Sequence, residues 1–142
     1  MARLRRTQAS EHEIQSAYFD WIEIQAQQDE RYGYIYSVPN GGQRHIAVAR
    51  KMVREGVRRG ILDVCIDYPV SRADSRLWTP GGRIEFKSGR NKTTTDQDLW
   101  ICKLLKAGYC VAISYSWEAA AAWTKVYFSG ELNSNRCEII GR

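Results

Sequence analysis

Ile84-Glu85-Phe86-Lys87 is the stretch from which the rest of the 142-residue chain becomes readable. Its β-branched and aromatic content predicts a strand over Arg83 to Lys87. Strand side chains alternate, so Ile84 and Phe86 share one side while Glu85 and Lys87 share the other. A carboxylate and an ammonium two residues apart on one face can act together on one ligand. The plainer alternative is a solvated ion pair on an exposed face. Upstream, Asp63 opens the segment Asp63-Val64-Cys65-Ile66, within a second predicted strand from Leu62 to Tyr68, straight after Gly60. If the two strands are neighbours, Asp63 and Glu85 converge on an oxygen-rich site suited to a hard divalent cation. Lys87 then sits beside it, able to orient or deprotonate a water.

Two helix starts flank this pair in the sequence. Ser10 predicts an N-cap, with Glu11 and Glu13 in a first turn where the helix dipole favours acids. The helix is expected to run to about Gln28, because Ile14, Ala17, Tyr18, Trp21, Ile22 and Gln25 form one stripe. At about 100° per residue, Glu11 lies roughly 60° from the centre of that stripe and Glu13 about 100° off it. Glu11 is therefore expected to point inward, unless it serves the dipole alone. Thr94-x-x-Gln97 reads as a capping box opening another helix, which Gly108 closes. Gln97 either only caps, or heads the inward stripe of Ile101 and Leu104 and meets a phosphate or water.

The remaining segments complete an α/β pattern. Tyr34 to Val38 predicts a short strand, Asn40-Gly41-Gly42 a turn, and Arg44 to Glu55 a basic helix stopped by Gly56. Residues 69–82 read as a loop or hairpin connection, Tyr109 to Tyr115 as a strand, and Trp117 to about Trp123 as the start of a last helix. From Tyr127 onward the pattern assigns nothing firmly. Tyr32, Tyr34 and Tyr36 are expected to pack on the sheet. Helices set between strands with few tight hairpins indicate a mixed central sheet flanked by α-helices. One domain over 10–142 follows a short basic tail over 1–9.

Composition excludes several classes. Hydrophobic residues at 44% and charged residues at 26% do not fit a disordered or collagen-like chain. No apolar run is long enough to span a membrane, and no apolar segment follows the arginines of the first ten residues, so a cytoplasmic protein is expected. Cys65, Cys102, Cys110 and Cys137 are too scattered, with only His12 and His45 beside them, for a zinc site. Free, mostly buried thiols are expected. A net charge of +5 suits a polyanionic partner.

Taken together, Glu11-x-x-x-Gln15, Val38-Pro39-Asn40-Gly41-Gly42, Gly60-x-x-Asp63, Glu85-x-Lys87 and Gln97 resemble, in that order, the virus-type replication-repair nuclease (VRR-NUC) domain. That domain belongs to the PD-(D/E)XK superfamily of metal-dependent nucleases. The resemblance runs from about Ser10 to Ala122. Gly108-Tyr109 with its apolar strand, then Ser116-Trp117-Glu118-Ala119, is similar to the family's C-terminal part. Leu62 departs from the pattern, since the family usually has Pro before the aspartate. Proline there fixes the approach to the strand and contributes no ligand.

The resemblance implies a restriction-endonuclease-like core and a DNA endonuclease. Asp63, Glu85 and the carbonyl of Phe86 would hold Mg²⁺ or Mn²⁺, with Lys87 the catalytic lysine, Glu11 the first-helix acid and Gln97 the active-site glutamine. Asn40, Gly41 and Gly42 would let backbone amides approach a phosphate. Arg44, Lys51, Arg54, Arg58, Arg59, Arg90 and Lys92 are candidates for tracking the nucleic-acid backbone, against the plainer reading of a solvated basic face. No small-molecule cofactor and no membrane partner are implied. Stand-alone members of the family further imply a homodimer acting on branched DNA such as four-way junctions or flaps, in DNA repair. A phage-encoded chain acting in the host cytoplasm would fit that likeness. The competing class is a nucleic-acid-binding module of nuclease ancestry with no turnover.

Overall fold

The computed structural model describes residues 7–39, 45–73, 75 and 77–142. The turn expected at Asn40-Gly41-Gly42, and Arg44 after it, lie outside the described residues, as does most of the basic tail. Helix α1 spans Glu11–Ala26. Ser10 caps it, its hydroxyl accepting from the Glu13 amide while the Glu13 carboxylate accepts from the Ser10 amide. Ile14, Tyr18 and Ile22 are buried along its inner face, and Tyr18 donates to or accepts from the Thr124 hydroxyl at 2.9 Å.

The next segment departs from the expected strand at its start. Asp29 caps a 3₁₀ turn over Glu30–Tyr34, and strand β1 is only Ile35–Ser37. Tyr32 packs in the core as expected. Tyr34 and Tyr36 are half exposed, Tyr34 lying edge-on to Tyr68 and Tyr36 donating to Asp67. Helix α2, Ile46–Arg54, buries no residue. Strand β2 is Val64–Ile66. The connection that follows is a small antiparallel hairpin of β3 (Val70–Ser71) and β4 (Trp78–Thr79).

Strand β5 (Gly82–Phe86), helix α3 (Thr95–Lys106) and strand β6 (Cys110–Ser114) form a β-α-β unit whose two strands pair in parallel. Helix α4 begins over the expected Trp117 to Trp123 stretch, continues to Ser129, and closes at Gly130 in the left-handed conformation. The tail then forms strand β7 (Cys137–Ile140) parallel to β6. Alternation does not mark β7, because it lies at the sheet edge with only partial burial.

The sheet order is β1-β2-β5-β6-β7, antiparallel on the first two junctions and parallel on the last two. One face is covered by α1 and α4 through Tyr18, Phe86, Trp123 and Tyr127, the other by α3 through Leu62, Ile101, Leu104 and Val111. This is the mixed, helix-flanked sheet expected. Cys65 and Cys110 are buried, Cys137 is partly buried and Cys102 is exposed, all as free thiols. Among the described residues no helix is long and apolar enough to cross a membrane.

Candidate active site

β2 and β5 are neighbours, with Val64 opposite Ile84. The strand after Asp63 is thereby held against the strand carrying Glu85. The Phe86 amide donates to Asp63 Oδ2 at 2.8 Å, and the Asp63 amide donates to Glu85 Oε2 at 3.2 Å. Each carboxylate is thus fixed by the backbone of the other's strand. Lys87, just past the end of β5, turns to the same face and places Nζ 3.1 Å from Glu85 Oε1. The pair is buried, not solvated: Glu85 is 3% exposed and Lys87 8%.

Gln97 closes the cap and also reaches Glu85, a partner that the sequence reading did not name. Its Oε1 accepts from the Thr94 amide at 2.9 Å, closing the capping box. Its Nε2 donates to Glu85 Oε1 at 2.6 Å. One side chain therefore locks the start of α3 and orients the carboxylate on β5. Gly60 lets the segment leading to Asp63 pack closely against the start of α3. Its φ of +78° suits glycine, and a Cβ there would overlap the backbone of Asp96 and Gln97.

Glu11 is turned inward and partly buried, as its helical phase predicts, whereas Glu13 is exposed and occupied by the cap. Glu11 Oε1 accepts from Asn91 Nδ2 at 3.2 Å, and its charge is felt at Asp63. Sequence reasoning passed over Asn91, which lies in the loop between β5 and α3. Its backbone carbonyl accepts from the Tyr115 hydroxyl at 2.6 Å, so the loop is tied to the far end of β6. The structure thus brings Asp63, Glu85, Lys87 and Gln97 into one hydrogen-bonded group, with Glu11 at its margin.

The electrostatics follow from that packing. Burial pushes the Glu85 carboxyl up to about 7, with the Asp63 charge adding to the effect and Lys87 opposing it. Burial also raises Asp63, against the lowering pull of the Phe86 amide and Lys87. Two carboxylates and one ammonium leave this buried group one positive charge short, and near neutrality a proton supplies it. A hard divalent cation fits the same deficit with the same oxygens. Among the described residues no group of three or more His, Cys, Asp or Glu side chains is placed to hold a metal. The donor set is two carboxylates, which matches how Mg²⁺ is commonly bound: one or two carboxylates, with waters and substrate phosphate completing the shell.

The basic candidates are spread around this centre. Arg58 and Arg59 line an open cleft of 820 Å³ between α2 and the start of α3, and Gln97 forms part of its wall. Arg54 and Lys51 are exposed on α2, with Lys51 3.9 Å from Glu55. Arg90 and Lys92 are exposed on the loop that carries Asn91. Arg83 is a further cation that sequence reasoning missed, though alternation puts it two residues before Glu85 on the same face.

No protein-family model matches the sequence, and no curated protein matches it. Among solved structures, a VRR_NUC domain protein superposes with a TM-score of 0.67 at 24% identity, over 94% of each chain. The mixed sheet and its flanking helices are the fold of that protein, in accord with the resemblance carried by the motifs.

Proposed function

We propose that residues 10–142 act as one nuclease domain that hydrolyses phosphodiester bonds in DNA with the help of Mg²⁺ or Mn²⁺. The observation that carries this is the buried group of Asp63, Glu85, Lys87 and Gln97, one positive charge short at neutral pH. The likeness of the fold to a VRR_NUC domain protein supports a nuclease reading.

Asp63, Glu85 and the Phe86 carbonyl are the groups that would hold the ion. Bound there, it would neutralise charge on the scissile phosphate and lower the pKa of water. Lys87 donates to the attacking oxygen and offsets the negative charge that gathers on the phosphate in the transition state. Its burial strengthens this effect, because little water screens it. Gln97 holds Glu85 in place through Nε2, and so fixes the position from which the lysine acts. Glu11 accepts a hydrogen bond from a water at the margin of the site. Asn40, Gly41 and Gly42, with Arg44, Lys51, Arg54, Arg58, Arg90 and Lys92, hold the DNA backbone. The proposal extends to branched substrates such as four-way junctions or flaps, cut by a homodimer in the cytoplasm as part of DNA repair. A two-fold dimer presents two symmetric active sites, as two symmetric cuts need.

The test is a cleavage assay with Mg²⁺, Mn²⁺ or EDTA on duplex, flap and four-way DNA, using the wild type, Asp63→Asn, Glu85→Gln and Lys87→Ala. Metal-dependent cutting lost in all three variants is expected. Full activity of Glu85→Gln would remove the mechanism, and binding without turnover in the wild type would leave a DNA-binding module.

A further inference from the structure

On the face of the sheet that α3 covers, Tyr36, Cys65, Arg83 and Val111 form one cross-strand row. Glu85 stands two residues further along β5, about 7 Å away. Helix α3 runs back over this face from Gln97, and its flank toward β2 carries Trp100, Lys103 and Ala107 at helical spacing. Between that flank and the strands lies a groove of 380 Å³, walled by Cys65, Arg83, Trp100, Lys103 and Tyr109. Ile61 borders both this groove and the cleft that contains Gln97, the residue that donates to Glu85.

The groove combines aromatic rings with cations. The Arg83 guanidinium lies 4.7 Å from the centre of the Tyr109 ring, and Lys103 Nζ lies 5.6 Å from that of Trp100. Arg83 is held rather than loose, donating to the Gly82 carbonyl at 2.7 Å and reaching Asp67 at 3.4 Å. Asp67 in turn accepts from the Tyr36 hydroxyl at 2.7 Å. Lys103 is exposed, and Trp100 is partly exposed beside it. Rings for stacking and cations for phosphate, in a channel open to solvent, are the parts from which single-strand binding grooves are made.

We propose that this groove receives unpaired bases of the DNA strand whose phosphate lies at Glu85, an inference that rests on the nuclease reading. Three residues of helix separate Gln97 from Trp100, a rise of about 4.5 Å, so a base at Trp100 belongs to a nucleotide close to the cut. A base inside a duplex cannot enter, because it must first leave the stack. The groove therefore selects substrates that are already unpaired or frayed beside the scissile bond.

Fluorescence anisotropy of a short labelled oligothymidylate with the full chain in EDTA reads binding without cleavage. Duplex cutting with Mg²⁺ is followed in parallel. Trp100→Leu should weaken oligonucleotide binding about tenfold, while Trp100→Phe, which keeps a ring, retains most of it. Lys103→Gln should lower the slope of log affinity against log salt by roughly 0.7. Lys103 is exposed, so this variant decides even where Trp100→Leu loses stability. A wild type that cuts duplex without binding the oligonucleotide overturns the groove and leaves the nuclease proposal standing. An unchanged salt slope in Lys103→Gln overturns it too. Binding that depends on Trp100 in a protein that never cuts DNA removes the nuclease reading alone.

Discussion

Glu85→Gln should stabilise the metal-free protein, and by a larger margin at pH 8 than at pH 5. Burial and the Asp63 charge raise the Glu85 carboxyl from 4.5 to about 7. The folded value is the higher one, so between the two the native state keeps a proton that the unfolded chain has released. Stability therefore falls as pH rises through that window. Above both values the cost is roughly 3 kcal/mol, and at pH 5 it is about 1 kcal/mol. Glutamine keeps an oxygen for Gln97 and Lys87 but carries no charge to desolvate. Its loss of charge beside the buried Lys87 is felt only above the raised value, where the wild-type carboxyl is ionised, and the pull of Lys87 is already contained in that value. The change with pH is thus the diagnostic quantity: the variant should gain about 2 kcal/mol on the wild type between pH 5 and pH 8. Urea unfolding in EDTA, followed by circular dichroism at several pH values, measures it. Saturating Mg²⁺ should reverse the order, because an ion that binds only the native carboxylates stabilises the wild type. Parallel stability curves for the two proteins would refute the claim that the fold holds Glu85 against its charge.

The two acids of α1 should separate cleanly. Glu11→Gln loses cleavage at nearly unchanged melting temperature, whereas Glu13→Gln keeps cleavage and melts slightly lower, because Glu13 closes the cap. Gly60→Ala should cost at least about 2 kcal/mol and depress activity further, since its Cβ displaces the backbone at Gln97; thermal melts beside cleavage rates check both. A dimer by light scattering, with junctions cut faster than linear duplex, is expected; a monomer cutting both equally removes the dimer and leaves the nuclease.

Local signals carried most of the architecture. Ser10 with Glu13 and Thr94 with Gln97 mark helix starts because capping is chemistry within four residues, and both boxes close in the structure. Glu85 and Lys87 share a face because alternation is a property of the strand itself. The pairing of β2 with β5 was only a condition of the reading, since nothing local states which strands are neighbours. β7 escaped because its place depends on an edge offered by β6, some two dozen residues earlier. The 3₁₀ turn at Glu30–Tyr34 escaped because Tyr32 and Tyr34 read as strand residues by propensity. Asn91 gave no signal in the sequence, for its value lies in reaching Glu11 from 80 residues away. Arg83 did give one, in the same alternation that paired Glu85 with Lys87.

The double use of Gln97 bears on how the protein comes into being. The helix start and the carboxylate share one side chain, so the buried group of Asp63, Glu85, Lys87 and Gln97 cannot be complete before α3 has docked on the sheet. The Lys87 amide is anchored to the Ser114 carbonyl, so the centre also waits for β6. A chain still emerging from the ribosome, or one broken before residue 114, holds Asp63, Glu85 and Lys87 in its sequence yet lacks the frame that aligns them. If the proposed nuclease activity holds, unfinished or damaged copies should be unable to cut DNA, because topology withholds the aligned group from them.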